Sequence, residues 1–386
     1  MSETVRFTYR LRPGAQAVAA LEAEWHRCRF LWNEAVHQQN TGRKPTLCTL
    51  SKLLTKARAQ HGWLREGSQV AQQQTLRTYA TALNHSRTVK GRHKPTIKKR
   101  RTTLSSLEYT TRGFTIRDGR LVLPKEVTVP VVWSRELPSA PSSVRVYRDC
   151  LGHWYASFVV TRDVEPMPDA DGSIGIDWGV TVTATTTDRA YDLPYAGHRK
   201  QCAAELAKSQ RRMSRRRRPR GQAPSKGYQR ARAQTARLHK KTARQNVHTA
   251  RLWAQRVVAD HQTIAVEDFR PRFLARSTMA RKAADAAVGV TKRTLIEYGV
   301  RAGRMVVMVK PAYTTMTCSR CFARIKQPLG LAERIFLCRE CGYTDSRDRN
   351  AARVILAVAE RGHTTADDVR HPVPSSLGRC CGAVRG

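Results

Sequence analysis

Four cysteines stand as Cys318-x2-Cys321 and Cys338-x2-Cys341, with 16 residues between the pairs. That spacing suits a structural zinc site, because four thiolates complete a tetrahedron and leave no open position for chemistry. Asp345-Ser-Arg-Asp348-Arg-Asn350-Ala351-Ala352 follows within a few residues, with Asp348 at the start of an expected helix. Two further acids end β-rich runs: Asp177 after Ser173-Ile-Gly-Ile, and Glu267 after Thr263-Ile-Ala-Val. Carboxylates converging from three such elements can hold magnesium, which prefers hard oxygen ligands. Two ions about 4 Å apart would activate water and stabilise a leaving oxygen in phosphodiester cleavage. Asp177, Glu267 and Asp348 are therefore the candidate catalytic residues and magnesium ligands. Asp268 and Asn350 are read as supporting groups beside them. Each acid also has a plainer reading: Asp348 as a helix N-cap, Glu267 as a charge at a strand end.

The charge balance favours the chemical reading. Across 386 residues, 70 Lys and Arg face 30 Asp and Glu, a formal net charge of +40. Such an excess cannot be neutralised internally and calls for a polyanion. Charge alone would equally suit a non-catalytic ribosomal or chromatin-like binder. The densest run holds Arg211, Arg212, Arg215, Arg216, Arg217, Arg218 and Arg220, and Lys240, Lys241 and Arg244 extend it. Between residues 199 and 245 there are 17 basic residues against the single acid Glu205. That stretch is expected to track a phosphate backbone. A second cluster over residues 94–101, with Lys98, Lys99 and Arg100, is a further candidate grip. No apolar run approaches the ~20 residues that cross a bilayer, so no membrane role is expected. The remaining cysteines are scattered, which suits a reducing cytoplasm.

The elements that must position these residues are legible in outline. Val18, Leu21, Trp25, Cys28, Leu31, Trp32 and Val36 recur at helical spacing over residues 15–40, and a second helical pattern covers 68–86. From 91 to 160, short β-rich runs separated by turn residues suggest a small antiparallel barrel or sandwich. Trp133 and Trp154 are read as its core. A Pro- and Asp-rich linker over 163–172 marks a domain boundary. Beyond it come strands at 173–180 and 182–187, a long basic helical region over 199–260, and a strand at 263–269. A helix over 290–302 and a strand over 305–310 precede the cysteines, and a helix over 348–360 follows them. The segment from 363 to 386 is expected to be a loose tail.

Gly-Ile-Asp177-x-Gly, Ile-Ala-Val-Glu267-Asp-Phe, Pro311-x-Tyr-Thr, the four cysteines and Asp348-x-Asn350-Ala-Ala together resemble the TnpB family, the transposon-associated RNA-guided nucleases related to compact type V CRISPR effectors. Cys28-Arg-Phe-Leu-Trp-Asn33 and Arg211-Arg-Met-Ser-Arg215 extend the resemblance over nearly the whole chain to about residue 360. It implies a multidomain α/β plus β protein. An RNase H-like RuvC nuclease domain (169–315 and 342–362) would carry an inserted zinc knuckle (316–341). A wedge-type β-barrel (1–12 and 87–168) would precede it and hold an inserted helical recognition lobe (13–86). It also implies a bacterial, nucleoid-associated protein that carries a guide RNA of the omega type encoded by its mobile element. Such a protein cuts double-stranded target DNA beside a short transposon-adjacent motif. Base pairing then supplies sequence specificity, and the protein reads shape and backbone. Phe322 stands where the family usually has Gly after the second cysteine, which leaves the geometry of that turn open. Two other readings remain: an RNA-independent resolvase or transposition enzyme on the same fold, and a guided DNA-binding repressor. The intact set of carboxylates argues against the repressor.

Overall fold

The computed structural model describes residues 2–42, 45–100, 102–163, 167–219, 221–269, 279–327, 329–330 and 333–369. The chain divides into two compact units, Met1–Val164 and Glu165–Gly386.

The first unit opens with β1 (Ser2–Leu11), followed by helices α1 (Ala15–Asn40), α2 (Leu47–Gln60), α3 (Gly62–Arg65) and α4 (Gln69–Thr88). Six strands complete it: β2 (Ser106–Thr110), β3 (Thr115–Arg117), β4 (Arg120–Leu123), β5 (Val127–Val132), β6 (Ser143–Arg148) and β7 (Trp154–Asp163). They pair in the order β2-β6-β7-β1-β5-β4-β3. The sheet curls about one apolar core, yet among the described residues β2 and β3 stay as edges. The expected barrel is therefore not closed by backbone pairing. β1 aligns with β7 along its whole length, and its last residues reach β5. Tyr9, Trp133 and Phe158 meet at the centre, with ring centroids 4.8 to 5.9 Å apart, and Trp154 is buried in the same core.

The apolar spacing of α1 serves two cores at once. Leu21, Trp25 and Cys28 pack on the sheet, while Leu31, Trp32, Ala35 and Val36 pack on α2 and α4. Residues 95–98 run as an irregular strap along α1, held by side chains of that helix. Gln39 donates to Pro95 O (3.4 Å), Trp32 Nε1 to Thr96 O (2.9 Å), and Asn33 exchanges two bonds with the Lys98 backbone (2.8 and 3.2 Å).

In the second unit β8 (Gly172–Trp178), β9 (Val182–Thr186) and β10 (Leu193–Pro194) are followed by α5 (His198–Gln201), α6 (Ala203–Arg215) and α7 (Lys226–Asp260). Then come β11 (His261–Glu267), α8 (Ala280–Ala286), α9 (Val288–Arg301), β12 (Met305–Val309), β13 (Ile335–Leu337), β14 (Thr344–Ser346) and α10 (Arg347–Glu360). The long basic helical region is thus broken, and α6 folds back on α7. Leu206, Ala231 and Leu238 are buried, and Ser209 bonds Ala231 O at 3.0 Å. The main sheet has the order β10-β9-β8-β11-β12. β8, β11 and β12 are parallel, while β9 is antiparallel to β8 and β10 antiparallel to β9.

Strand side chains alternate between faces, and that alternation sorts the second unit. Ile174, Ile176, Ile264 and Val266 join Trp253 and Val257 of α7 and Leu295 of α9 in one core. The opposite face carries Ala265 and Val309, which pack with Val354, Ile355 and Val358 of α10. The segment after α10 departs from the loose tail expected from residue 363. Ala366 and Val369 are buried beside α10, Lys310 N–H donates to Thr364 O (2.8 Å), and Arg324 pairs with Asp367. The apolar face of α10 needs this cover; the tail beyond residue 369 lies outside the described residues.

Candidate active site and metal centre

Asp177 and Glu267 follow from the same alternation. The parallel register pairs Ile176 with Val266, so the two acids stand side by side one step later, at the ends of neighbouring strands. Two residues after Gly175 and Ala265, they share the α10 face. Both are buried, 7% and 6% exposed. Asp348 comes from the first turn of α10, whose N-cap is Ser346, so the N-cap reading of Asp348 does not apply.

Gly175 brings the helix this close. A Cβ there would lie 2.1 Å from Ala352 O and 2.8 Å from Leu356 Cβ. Ala351 and Ala352, fully buried, are the matching small residues on the helix.

Burial raises the Asp177 carboxyl well above the usual carboxylate range, and the nearby charges of Glu267 and Asp348 raise it further. Arg347 and the Trp178 backbone N–H offset part of this. Glu267 is pushed up to about 7, mainly by burial, against the pull of Lys292. Like charges in a desolvated site disfavour ionisation unless a cation joins them. Asp177 and Glu267 thus suit a divalent ion. Asp348 is held by Arg347 (3.2 Å) and Arg334 (3.5 Å), which supply its positive charge in this structure.

Asp268 and Asn350 are tied to different neighbours. Asp268 accepts from Lys292 Nζ at 2.7 Å, and so brings that ammonium to the Glu267 side of the site. Asn350 turns away to the cysteine loop: it donates to Thr317 O (2.8 Å) and accepts from Ser319 N–H (2.9 Å). Asp345 is engaged with Arg353 (2.6 Å) and Tyr343. Lys292 and Thr314, which both favour the ionised form of Glu267, and Arg349, which ties the start of α10 to Asp192, are residues that the sequence reading misses. None sits in a recognisable spacing with the acids, although Arg349 lies inside the quoted Asp348 motif.

Among the described residues, one metal-binding set has its donor atoms already gathered: Cys318, Cys321, Cys338 and Cys341, all within 4.8 Å of one another. Cys318 and Cys341 are 3.7 Å apart and Cys321 and Cys338 3.5 Å. A tetrahedral site with ~2.3 Å zinc–sulfur bonds requires sulfurs about 3.8 Å apart, far beyond the ~2 Å of a disulfide. The four thiols therefore fit zinc. Arg320 N–H points at Cys318 Sγ (3.4 Å). Phe322 has φ 59°, matching Gly342 at φ 68° in the second turn. The two turns keep the same left-handed backbone despite the missing glycine, and the Phe322 ring is covered by the Arg361 guanidinium at 4.1 Å.

The basic residues fall into different classes. Arg211, Arg212, Arg215 and Arg217 are exposed on α6 and the turn after it. Arg216 and Arg218 bond to Gly227 O and Ala223 O and brace that turn. Lys241 and Arg244 are exposed on α7, with Lys240 half-buried; Arg220 lies outside the described residues. Lys98 is not a surface grip. Its ammonium sits 3.5 Å from the Trp32 ring centroid and 5.0 Å from that of Trp25, and burial lowers its pKa to about 8. Lys99 and Arg100 beside it are exposed. Among the described residues, no helix is long and apolar enough to cross a membrane.

Residues 157–277 match the family model described as "Probable transposase", and residues 291–355 match that of the "Cas12f1-like, TNB domain". A protein of Streptomyces pristinaespiralis named as an RNA-guided DNA endonuclease is 30% identical over 385 residues, covering 96% of this chain and 93% of its own. A TnpB-like protein of Acanthamoeba polyphaga mimivirus is 40% identical over 83 residues, 22% of this chain and 15% of its own. In fold, the chain is similar to Cas12f1 from a cryo-EM complex with single guide RNA and target DNA. The TM-score is 0.54 at 11% identity, over 92% of this chain and 98% of that one.

Proposed function

Because the chain belongs to the TnpB family, we propose that it is an RNA-guided endonuclease that cuts double-stranded DNA beside a short transposon-adjacent motif. Its guide would be an RNA encoded by the same mobile element. What supports this reading is that Asp177 and Glu267 end neighbouring strands on the α10 face, with Asp348 of the first turn of α10 near enough to raise the Asp177 carboxyl. Three antiparallel strands extended by two parallel ones support an RNase H-like, RuvC-type domain. The named activity of the Streptomyces relative supports the guide and the target.

Asp177 and Glu267 would hold a divalent ion between adjacent strand ends, and Asp348 would complete the set from α10. Bound magnesium would supply the Lewis acidity that activates water and stabilises the departing 3′-oxygen. The chain's own residues prepare that event. Trp178 Nε1 donates to Glu267 O (3.1 Å) and ties the two strand ends together. Lys292 holds Asp268 and keeps a positive charge against Glu267. Arg347 and Arg334 hold Asp348 until a stronger cation competes for it. The zinc knuckle serves rigidity rather than chemistry, since four thiolates leave no open position. The exposed arginines of α6 would follow a phosphate backbone.

The test uses protein made together with its flanking locus. Asp177→Asn, Glu267→Gln and Asp348→Asn should each retain RNA and target binding in gel shifts and lose plasmid linearisation. Full cutting by Asp348→Asn would remove that residue from the site. A wild-type protein that binds guide and target without cutting would be a repressor, and cutting that survives RNase treatment would mark a resolvase.

A further inference from the structure

Three consecutive residues at the start of α10 face three different parts of the second unit. Asp348 faces the acidic site. Arg349, 7% exposed, grips Asp192 with both nitrogens (3.0 and 2.7 Å) and also donates to Thr186 O, so it fixes the helix to the β9–β10 side of the sheet. Asn350, fully buried, brackets Cys318 by bonding the carbonyl before it and the N–H after it. The same amide therefore senses where the Cys318 backbone lies, and that backbone is set by where the Cys318 thiolate is held.

We infer that Asn350 is a positioning residue that couples occupancy of the four-cysteine site to the placement of Asp348. The inference rests on the nuclease reading for its consequence, though not for its geometry. Arg349 makes the coupling effective. With one side of the helix start pinned to the sheet, a shift of the cysteine loop cannot be absorbed by sliding the whole helix. It must tilt the first turn, where Asp348 sits. An amide is suited to the task because it donates and accepts at once, and a buried amide that loses either partner is strongly penalised. Such ligand-supporting hydrogen bonds govern metal affinity and activity by about 10- to 100-fold.

The coupling is reciprocal by thermodynamic necessity, and this supplies a readout independent of cutting. In Asn350→Ala, zinc release to a metallochromic chelator should accelerate by about 10-fold or more. The magnesium concentration for half-maximal cleavage should rise by a similar factor, and guide RNA affinity should stay unchanged. Excess magnesium should recover much of the rate, which a general folding defect would not allow. Asn350→Ser keeps a hydroxyl that can both donate and accept, at shorter reach, and it should fall between wild type and Ala; it also serves if the Ala variant does not fold. Wild-type zinc release and wild-type magnesium dependence in both variants would overturn the inference. A wild-type protein inactive at every magnesium concentration would instead overturn the nuclease reading, and zinc release would then decide the coupling alone.

Discussion

Adding one methyl group at Gly175 should separate Asp348 from its partners. The Cβ of Gly175→Ala would sit 2.1 Å from Ala352 O and 2.8 Å from Leu356 Cβ. A carbon–oxygen contact closes to no less than about 3.3 Å, so α10 must withdraw by roughly 1 Å. The obstacle is helix backbone, which cannot rotate aside as a long side chain would. Overpacking of this kind costs about 1–3 kcal/mol. For a unit of this size that corresponds to a melting temperature lower by roughly 3–10 °C. The functional effect should be larger, because a 1 Å misplacement of a catalytic group costs on the order of 100-fold in rate. The assay pairs thermal unfolding with single-turnover cleavage of a target plasmid by the guide-loaded protein. Gly289→Ala is the control: it lies in α9, and the nearest atom to its Cβ is a flexible arginine nitrogen at 3.7 Å. That variant should keep full activity and gain about 0.4–1 kcal/mol. A Gly175→Ala protein with wild-type stability and rate would refute the argument that close helix approach positions Asp348.

Replacing Arg211, Arg212, Arg215 and Arg217 together with Gln should weaken RNA or DNA binding and flatten its salt dependence by about 0.7 to 0.9 per lost phosphate contact. An unchanged slope in a salt titration would show that α6 does not touch the backbone. Lys98→Met, by contrast, should leave that slope unchanged, because the ammonium is enclosed by Trp32 and Trp25; a slope reduced as for the α6 arginines would return Lys98 to the contact surface.

Much of the site can be read from the chain because its parts obey short-range rules. Alternation in Ser173-Ile-Gly-Ile-Asp177 and Thr263-Ile-Ala-Val-Glu267 marks two strands with an acid at the end of each, and the structure places them in register. The cysteine spacing is likewise local. Lys292 and Thr314 are not legible, because they reach Glu267 from a helix and a loop that carry no pattern of their own. The bonds of Asn350 to the cysteine loop are hidden for a related reason. Its position two residues from Asp348 suggests a shared pocket, but helical geometry turns successive residues to different sides. The break between α6 and α7 is hidden by the continuous basic composition, and the cover of α10 by residues 364–369 depends on only two apolar side chains, Ala366 and Val369.

The large net charge also has to be divided by role before it says anything about partners. Arg349 is spent on Asp192, and Arg304, 5% exposed, bonds Val258 O and Gln262. Lys98 lies under aromatic rings, Arg216 and Arg218 brace a turn, and Arg334 and Arg347 pair with Asp348. Arg349, Arg304 and Lys98 stabilise the fold, whereas Arg216, Arg218 and Arg334 stay exposed and open to a phosphate backbone. Exposed basic residues remain on α6 and α7, at Lys99 and Arg100, and elsewhere, among them Lys52, Lys56, Arg65, Arg92 and Lys94. The net charge of +40 already sets the paired cations against their acids, but it does not say which surface carries the excess. The salt slope of binding, rather than composition, measures the number of phosphates this protein neutralises.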